Sequence, residues 1–318
     1  MFKNLILYAI TGTNPARCAD LIPALVREEF RPCEPAKEHS AGWVDPADPS
    51  ATRGALVQPL FCHGWMLAYK TETKKVPTQA LKARVAEMAE AIYKETGRRP
   101  GKTAAKDLAE AAKFELLPRA FALQETTLVW LDTDNGWLAL DCASAKRGAD
   151  IVTALVRMIP GLVVTPVQTQ VSPAAAMSTW LGSGDAPWSF GLCLGRSAEL
   201  HRQDETRAKV RYVNHSLVTD EVRAHVREGY TAKQLALEWD TRMTFVLTDA
   251  WTLRNVALTD VVLEENKTAG GPGWPDAEEV WRTDAVLMTA ELQRMLADLM
   301  NALGGKLAIG QPAATAQA

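Results

Sequence analysis

Hydrophobic and polar positions change period several times along this chain, and each change marks an element. The opening segment FKNLILYAI is strand-like. NPARCADLIPALVREEF follows with a cap-competent Asn14, Pro15 in the first turn and an apolar stripe at Cys18, Leu21, Leu25 and Val26, which predicts a β–α start. ALVQPLF and GWMLAYK carry the β-branched and aromatic residues of strands. From Pro77 to Ala120 the period lengthens. Leu81, Val85, Met88 and Ile92 recur at helical spacing, as do Ala105, Leu108, Ala112 and Leu116 after GRRPGKT, so a helical hairpin is expected.

Alternation returns in TTLVWLDTDNGWLALDCASA on both sides of a tight turn at Thr133-Asp134-Asn135-Gly136, and the helix-periodic GADIVTALVRMI follows. MTFVLTDAWTLRNVAL repeats the plan as strand, turn and strand, with a later helix whose stripe is Met288, Leu292, Met295, Leu299 and Leu303. STWLGSGDAPWSFGLCLG reads as a loop-rich junction, KVRYVNHSLVTDEVRAHVREGYTAKQLALEW as strand, helix, strand, and TAGGPGWPDA as a surface loop. The predicted fold class is α+β, with two related antiparallel-sheet/helix units: residues 1–76 with 122–170, and residues 171–305. A helical insertion spans 77–121, and the apolar-poor tail 306–318 is expected to be disordered.

Composition narrows the function classes. A formal net charge of −3 excludes a uniformly basic nucleic-acid binder, so any such activity must reside in a local patch. That patch exists: Lys70 to Phe121 holds 12 Lys/Arg against 7 Asp/Glu, leaving the remainder of the chain at −8. No apolar run reaches the roughly 18 residues of a membrane span, and LILYAI is too short for a signal peptide, so a cytoplasmic location is the expectation. Cys18, Cys33, Cys62, Cys142 and Cys193 are dispersed and read as buried thiols, not as a disulfide framework or zinc site.

GRRPGKT invites comparison with a nucleotide-binding loop, but only three residues separate Gly97 from Gly101, and a helix-periodic run precedes it where a strand is needed. It reads either as a solvated basic turn or as a phosphate contact. Asp132, Asp134 and Asp141 are the best enzyme candidates, as a carboxylate group able to hold Mg²⁺ for phosphodiester hydrolysis. Asp134-Asn135-Gly136 is equally what a tight turn requires. Cys62 and His63 point to opposite faces of a strand, and His39, His63, His201, His215 and His225 lack metal-ligand spacing, so no catalytic residue and no cofactor is assigned.

LLPRAF (Leu116 to Phe121) followed by WLDTDNGWLALDCASAK (Trp130 to Lys146) resembles the bacterial recombination-associated RdgC family. FKNLILY, GWV (Gly42 to Val44), KQLALEWDTRMTFV and DAVLMTAELQRMLADLMNALGG match in family order, so the resemblance covers residues 1 to 306. It implies a nucleoid-associated, non-enzymatic protein without a cofactor, whose ring-shaped homodimer encircles double-stranded DNA without sequence preference. It further implies negative modulation of RecA-dependent recombination, with the RecA filament as a further partner. In this family the helical insertion forms a projecting tip where two subunits meet. Lys74, Lys75, Arg98, Arg99, Lys102 and Lys106 then become phosphate contacts, joined by Arg119, Lys146 and Arg147 in or beside the matching motifs, and Phe121 packs across the gate of the ring. One departure is Val213-Asn214-His215 where the family typically carries Lys-Lys-Gln; nearby Arg207, Lys209 and Arg211 are candidates to compensate. Two other readings stand beside this one: a metal-dependent nuclease or phosphodiesterase, and a RecA-interacting factor with weak DNA binding.

Overall fold

The computed structural model describes residues 2–12, 21–51, 54–60, 64–187, 189–192, 197–202, 204–267 and 276–307. Asn14, Pro15, Cys18, Cys62, His63, Cys193, most of TAGGPGWPDA and the tail from residue 308 lie outside these residues. In chain order the elements are β1 (Leu5–Gly12), α1 (Ile22–Arg27), β2 (His39–Val44), β3 (Gln58–Leu60), β4 (Gly64–Lys74), α2 (Thr78–Thr96), α3 (Lys102–Leu116), a 3-10 turn (Leu117–Arg119), β5 (Ala122–Asp132), β6 (Trp137–Asp141), α4 (Ala145–Met158), β7 (Leu162–Pro166), α5 (Pro173–Ser183), β8 (Phe190–Gly191), β9 (Ser197–Arg202), β10 (Lys209–Val213), α6 (Asp220–Arg227), β11 (Tyr230–Trp239), β12 (Met243–Thr248), β13 (Thr252–Leu258), α7 (Asp260–Lys267) and α8 (Ala277–Ala302). The fold is mixed α+β with an extensive antiparallel sheet.

The chain forms two compact units. The larger comprises Met1–Ile22, Val57–Leu67 and Leu128–Ala318, the smaller Pro23–Leu56 and Ala68–Thr127. In the larger unit β1 is central: its first half pairs with β6 and β13, its second half with β7. β12, β11, β9 and β10 continue outward from β13, and β5 lies beyond β6. Alternation along β1 sends Leu5 and Leu7 into one buried cluster with Trp130, Trp137, Trp239 and Phe245. The predicted stripe of α8 supplies Met288, Leu292, Met295 and Leu299 to that cluster. α4 packs its Gly148 against β1 and β6, where an added Cβ would meet the Tyr8 hydroxyl at 3.2 Å.

The predicted hairpins are β5–β6, turning at Gly136 with φ 68°, and β12–β13; both belong to the larger unit. The first six residues of the junction expected to be loop-rich, Ser178 to Ser183, depart from that expectation, because they complete α5. Ser172 caps that helix by accepting the Ala175 N–H at 3.2 Å, Pro173 opens it, and it buries Ala176, Met177, Trp180 and Leu181.

The smaller unit pairs β2 with the second half of β4 and carries α2 and α3 as an antiparallel pair. A buried polar link within it is Glu72, 4% exposed on β4, which accepts the Cys33 N–H at 2.7 Å and the Gln124 side-chain amide at 2.6 Å. The Gln124 bond, assisted by the Cys33 bond, holds the Glu72 carboxyl below the usual glutamate range. A depressed carboxyl contributes stability above its unfolded pKa and loses it as pH falls through the folded value. Glu72→Gln is therefore expected to destabilise the protein by about 1–2 kcal/mol at pH 7, with the deficit vanishing in strong acid. Urea melts across that pH range check this; a deficit of constant size would refute it.

Candidate nucleic-acid interface

The basic residues singled out in the sequence fall into separate groups. Four gather where α2 gives way to α3. Gly97 adopts φ 66° and ψ 7°, ending α2 with its N–H donated to the Tyr93 carbonyl at 2.8 Å, a left-handed cap that glycine supplies without a Cβ penalty. Arg98 and Arg99 form the exposed turn, with the Arg99 guanidinium 5.8 Å from the Tyr93 ring centre. Lys102 and Lys106 stand one helical turn apart on α3. Gly101 begins α3 without a side-chain cap, and the first turn holds no acidic residue, so its backbone N–H groups and the four cations present one positive end. None of the four makes an ion pair among the described residues.

Lys74, Lys75 and Arg119 lie at the other end of the helical pair. Nineteen residues of α2 separate the two groups, about 28 Å at the rise of an α-helix. Lys75 and Arg119 are exposed, whereas the Lys74 ammonium donates to the carbonyls of Cys33 and Glu34, both at 3.2 Å. Of the other basic residues on the pair, Arg84 is bound to Glu87 and, across the hairpin, to Glu115, and Lys113 to Glu38, while Lys82 and Lys94 are exposed on α2.

The remaining candidates belong to the larger unit. Lys146 is exposed and Arg147 half-buried in the first turn of α4, where Ser144 accepts the Arg147 N–H at 3.4 Å. Lys209 and Arg211 share the exposed face of edge strand β10, two residues apart, hence about 7 Å along the strand. Arg207 and Asn214 adopt φ 48° and 52°, so a left-handed turn bounds β10 on each side, and Asn214 suits that conformation.

Phe121 is 91% exposed, which removes it from the intrachain core. Two further apolar residues are also exposed: Phe114 on α3 and Leu123 on β5, two residues on from Phe121, each at 64%. Phe114 could have been found, because it lies off the stripe of Leu108, Ala112 and Leu116.

The three aspartates do not converge. Asp132 is fully buried and accepts from the Asn135 backbone N–H, its side-chain amide and the Gln293 amide. Asp141 instead accepts the backbone N–H groups of Lys3 and Asn4, both at 2.9 Å. Asp132 pairs with Trp137 across the hairpin, four residues from Asp141, a separation of about 13 Å along the strand. Among the described residues no group of three or more His, Cys, Asp or Glu side chains is placed to hold a metal ion, and no helix is long and apolar enough to cross a membrane.

A family-wide sequence profile described as "Putative exonuclease, RdgC" matches residues 1–306. The chain belongs to the RdgC family. Relatives named "Recombination-associated protein RdgC" agree. The one from Dechloromonas aromatica is 37% identical over 309 residues, covering 96% of this chain and 98% of its own length. Those from Paraburkholderia phymatum and Ralstonia nicotianae are 35% and 37% identical, covering 98% and 96% of this chain and 99% and 95% of theirs. The RdgC resemblance read from LLPRAF and WLDTDNGWLALDCASAK thus extends over residues 1–306.

Proposed function

We propose that this RdgC-family protein binds double-stranded DNA without sequence preference, as a ring-shaped homodimer, and thereby restrains RecA-dependent recombination. The observation that carries the reading is the α2–α3 turn, where Arg98, Arg99, Lys102 and Lys106 meet an uncapped helix N-terminus with no acidic partner among the described residues. Lys and Arg on such a surface neutralise phosphates without reading bases, and no recognition-helix motif or zinc module presents base-reading side chains. In this reading residues 77–121 are the tip at which two subunits meet, Phe121 is the gate, and the basic residues of both units face the encircled duplex.

The profile's description supplies a second reading, an exonuclease. The separation of Asp132 from Asp141 and the prior engagement of both carboxylates speak against those residues as its metal ligands. One experiment tests both readings. Labelled plasmid is incubated with the protein with and without Mg²⁺, and duplex affinity is titrated against salt. The expected result is a mobility shift without cleavage and, for about six neutralised phosphates, a slope of log K against log[salt] of roughly −5. Metal-dependent cleavage, a salt-independent affinity, or more than about a hundredfold preference for one duplex sequence would overturn the non-specific binding reading.

A further inference from the structure

Three of the chain's five histidines, His201, His215 and His225, lie within 25 residues around edge strand β10. The antiparallel register of β9 and β10 sets Lys209 directly across from His201 and Arg211 directly across from Glu199. Residues opposite one another share a face, so these four side chains form one quartet on the face that Lys209 and Arg211 expose. Leu200, Ala198 and Tyr212 are buried on the other face.

Within the quartet Glu199 does not bind Arg211. Its carboxylate lies 2.5 Å from His201 Nε2, whose N–H donates to it, and both side chains are 23% exposed. Lys209 and Arg211 make no ion pair among the described residues. On β11 the same rows end in Thr231 and Gln234, which are uncharged. The nearby Lys233 is bound to Asp249 at 2.7 Å, and Arg202, at the end of β9, is occupied by Asp204 at 2.5 Å and lies over the Tyr230 ring. On and beside α6, His215 is 3.9 Å from Glu221, Arg223 is bound to Asp220 at 3.3 Å, and His225 Nδ1 meets the Tyr212 hydroxyl at 2.7 Å, while Arg227 is exposed.

We infer that the His201–Glu199 pair is a proton-controlled gain on the phosphate affinity of the Lys209/Arg211 face. The inference rests on the DNA-binding reading above. With the imidazole neutral, the Glu199 charge offsets one of the two cations across the ladder. When His201 takes a proton on Nδ1, its Nε2–H still binds Glu199, the pair becomes net neutral, and the face rises from one net positive charge to two. Histidine is the side chain whose charge changes between about pH 5 and 8, and each added cation on a phosphate-binding face contributes close to one unit of salt slope.

The test is the affinity of a fluorescein-labelled 30-base-pair duplex at pH 8.0 and pH 5.8, at one ionic strength, for wild type, His201→Gln and Glu199→Gln. The readout is the ratio of affinities at the two pH values, which does not depend on how tightly a variant binds at either one. Wild type is expected to gain about fivefold more on acidification than His201→Gln. Glu199→Gln removes the offsetting charge, so it should bind tighter than wild type at pH 8.0. Equal ratios for wild type and His201→Gln, with binding intact, would overturn this inference and leave the DNA reading standing. Absence of duplex binding by wild type at both pH values would overturn the DNA reading and the inference together.

Discussion

Exchanging Arg98 and Arg99 together for glutamate is expected to lower duplex affinity by more than about tenfold at moderate salt and to flatten the salt slope by about two units. The effect is large because the two guanidiniums stand in the exposed turn without an acidic partner among the described residues, so their charge is available to a phosphate. Folding should be nearly unaffected, since exposed charge changes usually cost under about 0.5 kcal/mol. The helix-end effects also oppose one another: glutamate is unfavourable after the C-terminus of α2 and favourable before the N-terminus of α3. The Gly97 cap is untouched. Filter binding across a salt series checks this, and an affinity and slope equal to wild type would return GRRPGKT to a solvated turn. ATP should compete with DNA only as a polyanion does, because the loop lacks the spacing that cradles a triphosphate.

Phe121→Ser should disable retention on DNA without unfolding the protein. A side chain that is 91% exposed contributes almost nothing to its own unit, so the melting temperature should hold. If Phe121 anchors the contact between subunits, its loss removes about 2 kcal/mol or more from that contact. A closed ring slides off linear duplex yet persists on covalently closed circles after a salt challenge, whereas an opened ring leaves both alike. Wild-type retention on circles by the variant would sink the gate assignment. Leu123, two residues on from Phe121, is also exposed, and Leu123→Ser is a second probe of that segment.

What was legible in the sequence follows the range of the forces involved. The α2–α3 pair, the β5–β6 and β12–β13 hairpins and the stripe of α8 are set by local periodicity and turn chemistry, and all were visible. α5 was hidden because the face opposite its buried stripe is Ala174, Ala175, Ser178, Thr179 and Gly182, small uncharged residues that give little polar contrast to mark a period. β2 was hidden by Gly42, which reads as a breaker but serves close approach: a Cβ there would lie 2.5 Å from the Phe30 backbone. β9 is short and polar, stabilised by partners on both sides and not by its own pattern. At the site, the basic turn was read directly from charge. The capture of Lys74 by carbonyls and the engagement of Glu199 by His201 are products of folding that no spacing along the chain encodes.

The central position of β1 also fixes when the protein can become whole. Leu5 pairs with Leu253, and the same strand takes β6 and β7 as its other partners. Because β1 is made before β13, it must wait until Leu253 has been made before its hydrogen bonds are complete. The α2–α3 pair makes its helix–helix contacts within residues 78–116, so those contacts can form while that strand is still exposed. A chain truncated before Leu253 would retain a formed basic turn but display an open, apolar strand edge, and its fate would be decided by self-association before DNA binding could be asked of it.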